Sequence, residues 1–148
     1  LKLNKMTLKQ LIKLEDKAKE VWVVSPELHY DIENKDFTEL VSVNLGQKTK
    51  YRYIVPATKE IEKNIKSYQK KYKLTDEEVH NNFLLLPENE FLPFVMETAI
   101  YDASTDCIAC AAPAMEDTDD VIKLSSETAK MMAKKFSQLW KTYKRVKP

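Results

Sequence analysis

The sequence predicts an α/β fold, a three-layer sandwich built around a mixed, partly parallel sheet. Three observations predict it. Short apolar runs rich in β-branched and aromatic residues, "VWVV" and "YRYIV", are interleaved with longer segments of helical period. The two runs flank a helical segment, the pattern of a β-α-β unit with parallel strands and a right-handed crossover. Two later runs, roughly 94–101 and 107–113, are joined by "DASTD" and read as a hairpin, which makes the sheet mixed. With helices on both faces the layers are α, β and α. At 148 residues the chain has the length of one ordinary domain, so residues 1–148 are read as a single unit. It begins at Leu1 and not at a methionine, which predicts a piece of a longer protein.

Each element has a local reason. "TLKQLIKLEDKAKE" opens with Thr7 and Gln10 at capping-box spacing, and Leu8, Leu11, Ile12 and Ala18 share one helical face. "VWVVSP" is a continuous apolar run stopped by Pro26, the signature of a strand buried on both sides. "DFTELVSVNLG" predicts a helix capped by Asp36, with Glu39 three residues on and an apolar face of Phe37, Leu40, Val41 and Leu45. Gly46, the one glycine of the chain, is expected to supply its left-handed exit. After the strand "YRYIVP", "ATKEIEKNIKSYQKKYKL" turns Ile61, Ile65, Tyr68 and Tyr72 inward and its lysines outward. Thr75 and Glu78 cap a short helix leading into "NFLLLPENEF". "MEDTDD" reads as a solvated acidic loop. A long amphipathic helix closes the chain, with Ala129, Met132, Phe136, Leu139 or Trp140, and Tyr143 on one face. Trp140, Phe136 and Tyr68 are expected in the core.

Composition narrows the function classes. A net charge of +1 gives no global field toward nucleic acid or membrane. No apolar run approaches the roughly 20 residues needed to span a bilayer, and no secretory signal opens the sequence, so no membrane partner is expected. Cys107 and Cys110, three apart in a strand, point to opposite faces, which makes a disulfide or shared metal site awkward. Buried structural thiols and a cytoplasmic setting follow as expectations.

The usual catalytic signatures fail. A single glycine rules out the P-loop and the dinucleotide fingerprint, which need several for close phosphate approach. Ser25 ends a strand but lacks the glycines of a nucleophile elbow. His29 in "ELHYD" offers a base, although a histidine after a strand is more often a loop hydrogen-bonder, and His80 offers less. "EDTDD" lacks the glycine turn and ligand spacing of a calcium loop. No metal and no cofactor are expected. The lysine-rich helix at 59–73 and the basic tail "KTYKRVKP" would touch phosphate, against the plainer reading of a solvated face and a chain end. Ligands of open α/β sheets bind beyond the carboxyl ends of parallel strands. Ser25, Glu27, Thr58 and Lys59 would gather there, with the N-terminus of the 58–73 helix adding an anion site for a small or anionic ligand.

In this order the pieces resemble the phospholipase D-like fold: "VWVVSPEL", "FTELVSVNLGQKTKYRYIVP", "FVMETAIYDAS" and "AKKFSQLW" together span nearly the whole chain. The resemblance implies a half-domain of that fold. It also implies a late strand that in active members carries H-x-K-x4-D, its His phosphorylated and its Lys neutralising phosphate. Registered on Asp102, the His position falls on Val95 and the Lys position on Glu97. Val95 has no nucleophile, and Glu97 reverses the charge a phosphate would meet. "CAAPA" replaces the small Gly-Ser segment of the next strand. The resemblance therefore implies a degenerate member with no catalytic residues: a sensor or dimerisation module of a bacterial regulatory or defence protein, with nucleic acid bound through another domain. Active members pair two halves across the cleft, so a single copy implies a symmetric homodimer through the face of Glu97 and Asp102, with Arg52 or Lys59 as partner of the carboxylate. The alternatives are a phosphodiesterase or nuclease using other residues, such as His29 with Asp102, and a nucleic-acid-binding domain using the lysine helix.

Overall fold

The computed structural model describes residues 4–91, 96–114 and 117–144. Among the described residues the chain order of seven strands and six α-helices is β1 (Asn4–Met6), α1 (Leu8–Lys17), β2 (Glu20–Val24), α2 (His29–Glu33), α3 (Lys35–Gly46), β3 (Lys50–Pro56), α4 (Lys59–Tyr72), α5 (Asp76–Asn82), β4 (Phe83–Leu86), β5 (Met96–Tyr101), β6 (Ile108–Pro113), β7 (Val121–Lys123) and α6 (Ser126–Lys144). They form one open sheet of order β1-β7-β6-β5-β2-β3-β4. β2 pairs in parallel with β3, and β3 with β4, whereas β5 runs antiparallel to both β2 and β6. The sheet is mixed and partly parallel, as the sequence predicts. Its edges, β1 and β4, are short, which limits the unpaired backbone offered to other chains.

Strand alternation splits the apolar residues into two cores. Val21, Val23, Tyr51, Tyr53, Val55, Phe83 and Tyr101 face Leu11 of α1, Tyr30 of α2, Phe37 and Val41 of α3, and Ile61, Ile65 and Tyr68 of α4. Trp22, Ile54, Leu84, Ile100 and Ala109 face Ala129, Phe136 and Trp140 of α6. Phe136 stacks on Trp22 with ring centroids 4.8 Å apart and on Trp140 at 5.7 Å. The β2 run is buried on both faces because helices cover both. Cys110 belongs to the first core and Cys107 to the second, and both are free thiols.

The capping boxes Thr7–Gln10 and Thr75–Glu78 both form, since they need only local sequence. Asn34 and not Asp36 caps α3, its side chain accepting from the Phe37 N–H, and Asp36 falls in the first turn. Gly46 does not make the left-handed exit: it lies inside the last turn of α3, and Lys48 takes the positive φ of 68°. Leu28, Lys73, Asp102 and Cys107 also adopt positive φ, so a glycine-poor chain puts ordinary side chains at its turns. β1, β7 and α2 were not predicted; each has five residues or fewer. The predicted 94–101 strand is described from Met96, and Val95 lies outside the described residues, as does the end of the basic tail.

Candidate functional site: a carboxylate-lined cavity

The parallel strands β2 and β3 bring Ser25, Glu27, Thr58 and Lys59 to the same end of the sheet, as expected. Their local roles are structural. The Ser25 Oγ accepts from the Leu28 N–H at 2.8 Å, holding the turn into α2. The Glu27 carbonyl accepts from Asn64 Nδ2 at 2.9 Å. Thr58 caps α4 by accepting from the Ile61 N–H at 3.1 Å. Glu60 and Glu62 occupy the first turn of α4, so the helix answers its own positive end with acidic side chains, and Lys59 is exposed beside them.

The remaining candidates separate. Asp102 stands beyond the opposite end of β2, where its Oδ1 accepts from the Lys19 and Glu20 N–H groups at 3.0 and 3.1 Å. Its left-handed φ of 48° starts the hairpin turn. Arg52 projects to the α6 face: its Nη1 donates to Asn82 Oδ1 at 3.0 Å, and the guanidinium lies 5.9 Å from the Trp140 ring centroid. Burial lowers its pKa, and Glu20 opposes that shift. Arg52 is therefore on the wrong side of the sheet to partner Glu97. Glu97 lies near the start of β5 and Asp102 just beyond its end. His29 pairs through Nε2 with Asp117 Oδ1 at 2.9 Å and not with Asp102, from which the length of β2 separates it. In the acidic loop, Asp119 accepts from the Leu8 N–H at 3.2 Å, at the start of α1.

Glu97 lies in the first core. Antiparallel register pairs Val24 with Thr98, so Ser25 comes opposite Glu97, and Glu97 shares its face with Ala99 and Tyr101. That face looks onto a cavity of about 30 Å³ lined by Leu11, Tyr30, Phe37, Ala112 and three carboxyl side chains: Glu15 from α1, Asp31 from α2 and Glu97 from β5. Among the described residues no Lys or Arg lines it.

The three carboxyls are held differently. Glu15 is 1% exposed, and its two oxygens accept from Tyr101 and Tyr51 hydroxyls, each at 3.0 Å. Asn44 Nδ2 in turn donates to the Tyr51 hydroxyl at 3.0 Å and to the Glu15 carbonyl at 3.2 Å. Burial pushes the Glu15 pKa from 4.5 up to about 8, Asp31 adds to the rise, and the tyrosine hydrogen bonds oppose it. Asp31 Oδ2 accepts from the Tyr53 hydroxyl, which meets the Tyr68 hydroxyl at 3.0 Å, and the Asp31 carbonyl accepts from Tyr72. Its pKa is raised by burial. Glu97 is only partly buried as a residue, yet its Oε1 is shut off from solvent and has no hydrogen-bond partner among the described residues. Burial, then Asp31 and Glu15, raise its pKa well above the ordinary range, while a hydrogen bond from Ser25 works the other way.

Sequence reasoning missed Glu15, Asp31, Asn44 and the tyrosines around them. A signal existed for Glu15: it follows Leu8, Leu11 and Ile12 on the apolar stripe of α1, where a carboxyl is out of place. Chemically the arrangement takes up protons and, where its carboxyls ionise, repels anions. Among the described residues no group of three His, Cys, Asp or Glu side chains is placed to hold a metal ion, and no helix is long and apolar enough to cross a membrane. No protein-family model, no curated protein and no solved structure matches this chain.

Proposed function

We propose that the chain is a non-catalytic, phospholipase D-like half-domain serving as a ligand-sensing or dimerisation module of a longer bacterial regulatory or defence protein. One observation carries the reading. Glu97 stands on the strand where the resembled motif has its phosphate-binding lysine, and its carboxyl is turned toward Asp31 and Glu15. A phosphodiester brought there would meet carboxyls and no cation, which disfavours binding and transition-state stabilisation alike. The parallel β2–β3 pair and the antiparallel β5 beside β2 suit such a half-domain.

A second reading, a phosphodiesterase with a non-standard site, has the His29–Asp117 pair in its favour: an imidazole beside a carboxylate is the ordinary form of a general base. Nucleic-acid binding through α4 has no comparable support, because its lysines are solvated and share the helix with Glu60 and Glu62.

Hydrolysis of bis-p-nitrophenyl phosphate decides between the two readings. The expected result is no turnover above buffer. Turnover that disappears in His29→Ala would overturn the proposal in favour of the enzyme. Sedimentation velocity on the same preparation is expected to show a dimer at micromolar concentration, and a strict monomer would remove dimerisation from the proposal.

A further inference from the structure

We propose that the cavity between β5 and helices α1 to α3 binds a small organic cation, taking the primary ammonium head of its ligand. The inference rests on reading the chain as a sensing module and gives that module a ligand class.

Three separate segments bring Glu15, Asp31 and Glu97 to one cavity, and among the described residues no Lys or Arg lines it. Two of the three carboxyls are served from within the chain: tyrosines donate to both oxygens of Glu15 and to Oδ2 of Asp31. Glu97 takes a hydrogen bond from Ser25, but its buried Oε1 has no partner among the described residues. A buried unpaired acceptor is costly, and such an atom facing a cavity is where a donor from outside is missing. The wall chemistry matches a cation, because Tyr30, Phe37 and Tyr101 line the same space and aromatic rings attract ammonium groups. A volume of about 30 Å³ exceeds the roughly 10–15 Å³ that one water requires, so a head group fits and a nucleotide does not. A bare metal ion is a poorer match, since no three ligating side chains converge closely enough among the described residues.

The cation must compete with protons. Glu97 faces Asp31 of α2 and Glu15 of α1, all with raised pKa values. Tyr30 of α2 also lines the cavity. Around the same core stand Tyr51 and Tyr53 of β3, Tyr68 and Tyr72 of α4, Tyr101 of β5 and Cys110 of β6, and the pKa of each of these six is raised, that of Cys110 to about 11, so they stay neutral at the pH of the test. Affinity therefore rises with pH wherever Glu97 is protonated in the free protein, by up to about tenfold per pH unit.

The test titrates methylammonium into the whole chain at pH 6.5 and 8.5 at constant ionic strength, reading amide shifts of Ala99, Tyr101 and Ala112. The expected result is a saturable shift at these amides, tighter at the higher pH and lost in Glu97→Gln. Acetate, a size-matched anion, is the control that needs no variant and is expected to give no shift. A wild-type response to acetate as strong as that to methylammonium, no saturable response to methylammonium at either pH, or full binding by a folded Glu97→Gln variant would overturn the proposal. None of these outcomes depends on phosphodiester turnover, so the two readings fail separately.

Discussion

Glu15 and Glu97 are both acidic residues in otherwise apolar surroundings, and they differ in how far the sequence exposes them. Glu97 is visible because the sequence run holding Val95, Ala99 and Tyr101, which reads as a strand, has a carboxylate in its middle, and the sequence pairs it with Arg52 or Lys59. The actual neighbours are carboxyls, because strand parity puts Arg52 on the other face. Glu15 looks like one acid among many on α1 until Tyr51 and Tyr101, far along the chain, close over it. Its pKa rises on folding, so the folded chain holds a proton that the unfolded chain releases between pH 4.5 and about 8. This contribution to stability is fully present below pH 4.5, declines as pH rises, and is gone above about pH 8. A rise from 4.5 to about 8 corresponds to roughly 5 kcal/mol across that window, at about 1.4 kcal/mol per pH unit. Urea denaturation of Glu15→Gln is expected to give near-native stability at pH 5.5 and a clear gain over wild type at pH 8.5, with a shallower pH slope. An unchanged slope would mean that Glu15 titrates normally.

Helices and caps were legible where the physics is local. The Thr7 and Thr75 capping boxes, the inward face of α4 and the β5–β6 hairpin all follow from short-range spacing. Gly46 misled because a sole glycine after an apolar run reads as a left-handed exit, whereas Lys48 accepts that strain two residues later. A methyl group built on Gly46 meets nothing within 4 Å. Gly46→Ala is therefore expected to stabilise by about 0.5–1 kcal/mol in chemical denaturation; a left-handed Gly46 would make the same change destabilising. The docking of α6 rests on Trp140, which is 2% exposed, stacks on Phe136 and has Arg52 and Lys144 beside its ring. Trp140→Ala is expected to cost about 3–5 kcal/mol and lower the melting temperature. An unchanged melting temperature would detach α6 from the core.

At the scale of the molecule, the sequence made the layers and the parallel β2–β3 pair legible, because apolar runs and periods report burial. It did not show that β7 and β1 extend the sheet beyond β6, since three-residue strands carry too little pattern. Nor did it show the meeting of α1, α2 and β5 at one cavity. Convergence of that kind is a property of topology: β5 lies beside β2, so Glu97 comes opposite Ser25 and next to the start of α2. That Glu97 and Glu15 are carboxyls confined in a cavity without a counter-cation is tested most directly by following their side-chain carboxyl ¹³C resonances through a pH titration. The predicted result is a Glu15 midpoint near pH 8, and a Glu97 midpoint well above the ordinary value of about 4.3. Ordinary midpoints for both residues would contradict the assignment of these carboxyls to a closed cavity without a counter-cation.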